Sequence, residues 1–530
     1  MTLQITSSIM LNIISLPTVY VGLFLSVIII LLYLYFTSTI LHKKLILILV
    51  AASLVLAVVL NFVVAWKMKQ PAIDFRLTIL PVQISSQNDH LRLAGEALWE
   101  MINYQLKSGA GNRAIINDPD FINTIINRDS IYQLNYLQQF NRRISAEYLL
   151  LGKTIVQENK NKIEYQLMNT SEKAIKLARS RGFTAGSIAG VSHVIVTEIL
   201  EYFKLPNAKL SERIHYIEMD SFEKYLQAKQ QFNSGCYQDA IESTKKSLAL
   251  DSNLVENKLL LAKSWFNLAL AKKKAGEAPI EAFQQSFDWL NQIIADDSSN
   301  GEAFCYLGEI YIYRERWSLA DAALKRALEL SPNFPRTYLA LSRLHPSRYQ
   351  KLGFTDEIAL FQRALFLNPG YEQAALMLGD HYLFDNKRQK AINVLKKHLE
   401  INPDSVPVLM ALGKIYLLRN EILNIIDVYN RVIALDPDNS AAYYNLGILY
   451  YNSEDFENAE KFFRLAIEID NHLNAHLYLA YLYDLKGDRE NAIKYLRLRI
   501  RHRTGLDDEF AEEARRRLYD LMHGDSTGQK

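Results

Sequence analysis

Cysteine is scarce: Cys236 and Cys305 are the two in 530 residues, too few for a disulfide framework or a cysteine-based metal site. They fall in different segments of a repeat described below and are read as buried apolar side chains rather than a redox pair. Excess charge of one sign is missing too. Sixty Lys and Arg against 58 Asp and Glu leave a net +2, so no long-range field argues for nucleic acid or an acidic substrate. A phosphate loop is lacking, because the glycines of GAGNR (109–113) precede a strand-like run instead of joining strand to helix, and a turn is expected there. His472 and His476, four apart, could share a helix face as metal ligands. The first lies at a repeat boundary and the second at a packing position, however, so structural use is expected. Scattered acids such as Glu309 and Asp380 are read as solvated or groove-facing. With no positioned acid, base, metal or nucleophile set, neither an enzyme nor a cofactor is expected.

What is present is length and apolar content. A chain this long needs more than one core, and 49% hydrophobic with 22% charged residues is a globular composition. Two runs carry no charge, TVYVGLFLSVIIILLYLYF (18–36) and LILILVAASLVLAVVLNFVVAW (45–66). As helices, both are long enough to cross about 30 Å of hydrocarbon. The Leu, Ile, Val and Phe of the second favour insertion by roughly 5 to 9 kcal/mol, enough to outweigh Asn61. There is no basic stretch ahead of the first run and no small-x-small cleavage site after either, so a retained transmembrane hairpin over 1–72 is expected rather than a signal peptide. Lys43 and Lys44 on one side against Lys67, Lys69 and Arg76 on the other leave its orientation open. No later run is long enough to span, so everything after residue 70 is expected on one face of the membrane.

Residues 73–205 alternate in type. FRLTILPVQ (75–83) reads as a strand, HLRLAGEALWEMINYQLKSG (90–109) as a helix with Leu93, Ala97, Leu98 and Ile102 on one stripe, and NRAIIND as a second strand. After another helical stretch, AEYLLLGKTIVQ and KIEYQLMNT flank the polar turn ENKN as a hairpin, and GVSHVIVTEILEYF closes with a helix. The order β-α-β-α-β-β-α predicts a two-layer α/β domain.

From residue 221 a period of 34 takes over. Gly379, Gly413 and Gly447 keep it, as do Pro369, Pro403 and Pro437, and Gly308 with Pro332 repeats the same internal offset. ALGKIYLLRN and NLGILYYNSE read as one helix, AINVLKKHLEINPD and ADAALKRALELSPN as its partner. Small residues at Gly447, Ala459 and Ala466 let two antiparallel helices approach closely. Tyr443, Leu446, Tyr450 and Phe463 fill the rest of the seam, and the proline sets the turn into the next pair. Eight units fit, at 221–254, 255–300, 301–334, 335–371, 372–405, 406–439, 440–472 and 473–506. The second has extra residues around AKKKAGEAPIE, and Pro346 should end the first helix of the fourth early. DDEFAEEARRRLYDLMHG (507–524) reads as a polar capping helix, followed by a disordered tail at 525–530. The basic run Lys494, Arg497, Arg499, Arg501 and Arg503 could meet phosphate or lipid head groups. It is read instead as the exposed face of the last paired helix, balanced by Asp507, Asp508 and Glu509.

The 34-residue helix pair with these small and apolar positions resembles the tetratricopeptide repeat. The resemblance implies an all-α solenoid wound as a right-handed superhelix, which holds protein or peptide partners along a concave groove. Counted from the glycine register, the inward positions it implies are Tyr313, Leu376, Asp380, Phe384, Met410, Lys414, Leu417, Tyr444, Ile448 and Tyr451. Asn445 matches one residue of the carboxylate clamp of chaperone-binding members, but the clamp's basic partners are missing. The strand ending TILPV, the segment AEYLLLGKTI and the late helix of 73–205 resemble the amino-terminal-like domain of the TolB and FlgO type. That resemblance implies a body outside the cytoplasm, here the periplasm beside a bacterial inner membrane. Its relatives carry a cytoplasmic effector, for which seventeen residues ahead of residue 18 leave no room. The expected protein is a membrane-anchored, non-enzymatic scaffold for protein partners. The alternative is a membrane sensor whose α/β domain binds a small ligand or partner and modulates the repeats.

Overall fold

The structure, a computed structural model, describes residues 73–523 apart from 86–88, 111–112, 118–121, 123–125, 127–129, 158–159, 206–218, 253–254 and 504–507. The hairpin expected over 1–72 and the tail expected at 525–530 lie outside the described residues. Among the described residues, no helix is long and apolar enough to cross a membrane.

The first domain is built on one sheet. Strands β1 (Phe75–Ile79), β2 (Gln83–Ser85), β3 (Ala114–Ile116), β4 (Tyr148–Gln157), β5 (Lys160–Asn169) and β6 (Ala174–Phe183) are ordered β3-β1-β4-β5-β6, with β2 also on β4. β1 and β2 run parallel to β4, whereas β4, β5 and β6 form an antiparallel meander. The helices are α1 (Asp89–Ala110), α2 (Leu134–Ile144) and α3 (Ile188–Tyr202). The expected long first strand is thus two, broken at 80–82. β6 was not anticipated, because as an edge strand it buries only Phe183 fully and carries Lys176, Arg179 and Arg181, the last paired with Glu198 of α3. Such charges blunt an exposed edge, and they also hide the alternation that announces a strand.

The sheet is covered on both faces, so the expected two layers are three. Successive strand residues point to opposite sides. Leu149 and Leu151 pack with Leu137, Phe140 and Ile144 of α2. On the other side, Gly152 lies against the Trp99 ring and Thr154 against Gly95, both from α1. Tyr165, paired with Gly152, hydrogen-bonds Glu198 of α3 on that same side. Burial on both faces explains the unbroken apolar run in YLLLG.

Residues 219–501 form paired helices. They are α4 (Met219–Asn233) with α5 (Tyr237–Leu250), α6 (Val255–Lys274) with α7 (Ile280–Asp296), and α8 (Gly301–Tyr313) with α9 (Trp317–Leu330). The fourth pair is α10 (Pro335–Leu341) with α12 (Glu357–Leu367), split by the short α11 (Pro346–Gln350). Then come α13 (Glu372–Phe384) with α14 (Arg388–Ile401), α15 (Val406–Arg419) with α16 (Ile422–Leu435), α17 (Ser440–Asn452) with α18 (Phe456–Asp470), and α19 (Leu473–Leu485) with α20 (Arg489–Arg501). The extra residues of the second unit lengthen both of its helices, to 20 and 17 residues. In the fourth unit Pro346 opens α11 instead of closing α10, which already ends at Leu341.

Local chemistry starts these helices. Asn300, Asp356, Ser405, Asn439, Asp455 and Asp488 each accept a hydrogen bond from the backbone N–H three residues on, satisfying a donor that the first turn leaves open. Within a pair, the glycine of the first helix meets a large side chain sixteen residues later. A Cβ built on Gly308, Gly379, Gly413 or Gly447 would lie 2.7, 3.2, 2.6 or 2.6 Å from Leu324, Leu395, Tyr429 or Phe463 respectively. Seven residues after each glycine, at Glu315, Asn386, Asn420 and Glu454, the chain turns through a left-handed conformation (φ 54 to 61). At the chain end α21 (Glu509–His523) buries Ala511 and Ala514 against the last pair.

Arg499 departs from its expected place on an exposed face. It follows Ala492 and Leu496 on the inner stripe of α20, is 2% exposed, and is paired with Asp508 at 2.6 Å and with Asn474 at 3.2 Å. The cysteines also divide, since Cys305 is buried but Cys236 is exposed.

The glycine contacts make a differential prediction. Gly447→Ala forces a methyl into the fully buried Phe463 ring and should cost about 1 to 3 kcal/mol. Gly379→Ala meets a Leu395 that can give a few tenths of an ångström and gains about 1 kcal/mol of helix propensity, so it should stay within ~1 kcal/mol of wild type. Urea midpoints of the two variants measure this. Equal losses would show that the close approach is not what selects glycine.

Candidate interaction groove

First helices of neighbouring pairs touch one another (α4 with α6, α6 with α8, α8 with α10, α13 with α15), so their inward positions line a wall over each of these stretches. With the small residue of each first helix counted as the eighth, the second, fifth and ninth positions face the same way. Gly379, Gly413 and Gly447 fix this register, and Ala228 and Ala262 extend it back to the first two pairs.

The ten positions expected in the groove are not equivalent. Phe384 is 91% exposed, Asp380 and Lys414 are exposed, and Leu376, Met410 and Leu417 are half-buried. These six come from α13 and α15 and form an open wall. Tyr313 is half-buried against Phe283, with ring centroids 4.1 Å apart, and the Lys273 ammonium lies 5.0 Å from its ring centre. Tyr444 is 9% exposed and packed between His472, Tyr478 and Phe463, at 4.3, 5.8 and 6.0 Å. Its ring is part of the core, held there by the next pair. Ile448 and Tyr451 border the same cluster, Tyr451 against Phe456 and Tyr478.

The groove of the first three pairs is filled by the chain itself. Helix α1, whose one face covers the sheet, turns Glu100, Met101, Asn103, Tyr104 and Lys107 toward Phe222, Tyr225, Lys229 and Phe232 of α4, Glu256, Leu259 and Lys263 of α6, and Glu302 of α8. The Glu100 carboxylate accepts from Lys229 Nζ at 2.6 Å, and Glu302 accepts from Lys263 Nζ at 2.6 Å. Burial raises the Glu302 carboxyl, but Lys263 and Lys107 outweigh it and hold it below its usual range. Further along, Arg76 Nη2 donates to Phe366 O at 2.5 Å, and Arg143 Nε donates to Glu400 O at 3.2 Å. Those carbonyls end α12 and α14, where a cation complements the helix dipole. The sheet domain is therefore docked by a helix in the groove and two arginines on helix ends.

These docking residues were not anticipated, since the register was not carried back to Ala228 and Ala262. Once it is, Phe222, Tyr225, Lys229, Glu256, Leu259 and Lys263 occupy inward positions. Glu309, expected to be solvated or groove-facing, is 5% exposed and bonded to Arg336 and Arg343. Arg336 in turn lies over the Phe266 and Tyr306 rings. The two histidines considered as metal ligands have separate partners. His472 stacks on Tyr444, while His476 Nε2 lies 2.7 Å from Asn471 Oδ1 and its ring tilts against Tyr495. Among the described residues, no group of three His, Cys, Asp or Glu could hold a metal ion.

Comparison with known proteins agrees with the repeat geometry. The tetratricopeptide repeat family matches residues 440–472, and a second description, TPR repeat, matches 426–453. This stretch is a tetratricopeptide repeat. Similar solved structures include a MamA protein, 24% identical over 32% of this chain and 92% of that one, with a TM-score of 0.27. Pseudomonas aeruginosa pilF is 17% identical over 42% of this chain and 98% of that one, with a TM-score of 0.34. YrrB, described as a TPR protein with an unusual peptide-binding site, is 19% identical over 34% and 92%, with a TM-score of 0.27. No curated protein matches the chain.

The last helix pair carries a pH signature. Burial, with help from His502, Arg499 and His472, pushes the His476 imidazole down to about 4 from 6.5. A depressed histidine favours the folded state when neutral, so its contribution is complete above pH 6.5 and is lost as pH falls toward 4. The loss amounts to about 3 kcal/mol. Urea unfolding at pH 7 and pH 4.5 should show it, and His476→Leu should flatten the dependence. An unchanged slope in that variant would place the titration elsewhere.

Proposed function

We propose that this protein is a membrane-anchored, non-enzymatic scaffold whose open groove over α13 and α15 takes an amphipathic helix of a protein partner. The observation that carries this reading is α1 itself, a helix lying along the inward positions of the first three pairs. The equivalent positions further along hold Leu376, Met410 and Leu417 for an apolar stripe, Asp380 and Lys414 for charges at its edges, and Phe384 at its end. Helix-in-groove binding uses just such apolar anchors at helical spacing. The match of residues 426–472 to the tetratricopeptide repeat supports the same reading.

Anchoring rests on the uncharged runs 18–36 and 45–66. A periplasmic body beside a bacterial inner membrane rests on the resemblance of 73–205 to the TolB and FlgO type domain.

Crosslinking capture from membranes by the full chain tests the groove. Phe384→Ser and Lys414→Glu change exposed side chains, so folding should be untouched and a defined set of captured proteins should drop by at least about tenfold. Unchanged capture by both variants would move the binding surface elsewhere. For the anchor, a cysteine at Lys530 should react with a membrane-impermeant maleimide once the outer permeability barrier alone is breached. Labelling seen only after full lysis would put the body in the cytoplasm.

A further inference from the structure

Strand β6 closes the sheet, and among the described residues nothing pairs with its outer side. It is ten residues long, whereas β3 at the opposite edge has three. Its ladder to β5 is interrupted once, at Lys176, which has no partner in the register, and runs unbroken from Leu177 to Phe183. That stretch presents about 23 Å of edge, along which alternate residues turn their N–H and C=O groups away from β5. Side chains do not cover it, since Ala178, Arg179, Ser180 and Gly182 are exposed.

The charge on this edge has one sign. From Lys173 to Phe183 there are four cations and no acid. Glu172 takes up Lys176, and Glu198 takes up Arg181. Arg179 donates to the carbonyl of its neighbour Ala178 at 3.1 Å and has no carboxylate partner among the described residues. At the start of the strand, Lys173 and Arg142 of α2 line an open recess, and neither has an ion-pair partner there. The two faces differ as well. Arg179 and Arg181 stand on the face of their partners Tyr165 and Ile163, while Ala178 and Ser180, short and exposed, leave room on the other.

We propose that residues 177–183 take, as an added strand, an extended acidic segment of a protein partner. Its carboxylates meet Arg179 and Arg181 on one face, and the apolar side chains between them lie across Ala178 and Ser180 on the other. Main-chain hydrogen bonds supply the affinity of such an added strand, and cross-strand charge selects which strand is accepted. The charges that repel a second copy of this edge are then the ones that admit an acidic strand. The site goes beyond the helix-in-groove reading and does not depend on it, because it lies in the sheet domain and its readout is direct peptide binding.

Fluorescence anisotropy of a labelled, end-blocked heptapeptide of alternating glutamate and valine, titrated with the detergent-solubilised full chain at low salt, tests it. Saturable binding is expected. The same peptide with its backbone nitrogens methylated keeps the charges and loses the donors, and should bind at least about tenfold more weakly, a gap of roughly 1.4 kcal/mol. Arg179→Glu changes an exposed side chain and should cost a similar factor, with Arg179→Gln as the milder variant if the first folds poorly. Phe384→Ser, in the groove, should leave the affinity unchanged. Absence of saturable binding at millimolar concentration would overturn the proposal. So would equal affinity for the methylated peptide, unchanged affinity in both folded Arg179 variants, or loss of binding in Phe384→Ser.

Discussion

The contact between a bare glycine backbone and the large side chain sixteen residues later sets the geometry on which the helical half depends. At Gly413 and Gly447 the opposing groups are rings, Tyr429 and Phe463, whose stiffness leaves no space for even one methyl. Because the two helices of a pair are held that close, their apolar stripes close on each other and on the next pair. The remaining side chains of each first helix have nowhere to point but inward along the array. A groove lined at fixed intervals is thus a consequence of tight pairing and not a separate feature.

The same wall serves two purposes along its length. Over the first three pairs it holds α1, where the charged pair of Glu100 with Lys229 stands beside apolar side chains such as Met101, Phe222 and Leu259. Such an interface resembles a transient one more than a core, while Arg76 and Arg143, bound to the carbonyl ends of α12 and α14, add direction. Over α13 and α15 the wall is bare. One chain therefore shows the occupied and the open form of a single surface, and the occupied part supplies the shape of what suits the open part.

Much of the helical architecture can be read from spacing, since glycine, alanine and proline recur where helix contact demands them. The strands of the first domain are harder. β4 is legible from its apolar run, but β6 is disguised by Lys176, Arg179 and Arg181, which guard an edge instead of alternating with buried partners. Inward positions are legible as a register and no further. The register names Tyr444 and Phe384 alike, yet the ring of one is closed over by His472 and Tyr478 while the other stands free. That difference depends on the neighbouring repeat, which a position count within one repeat does not contain. The docking of α1 is non-local in the same way, joining Glu100 to Lys229 across 129 residues.

The buried pair of Arg499 and Asp508 has a bearing on where the molecule can be cut. Asp508 also accepts from the Ala511 N–H and so opens the closing helix α21. Cleavage ahead of it would strand a guanidinium inside the last pair with no counter-charge, besides uncovering Leu477 and Leu496. The last helix is therefore a lid that the solenoid cannot shed, and any fragment meant to be handled alone has to keep it.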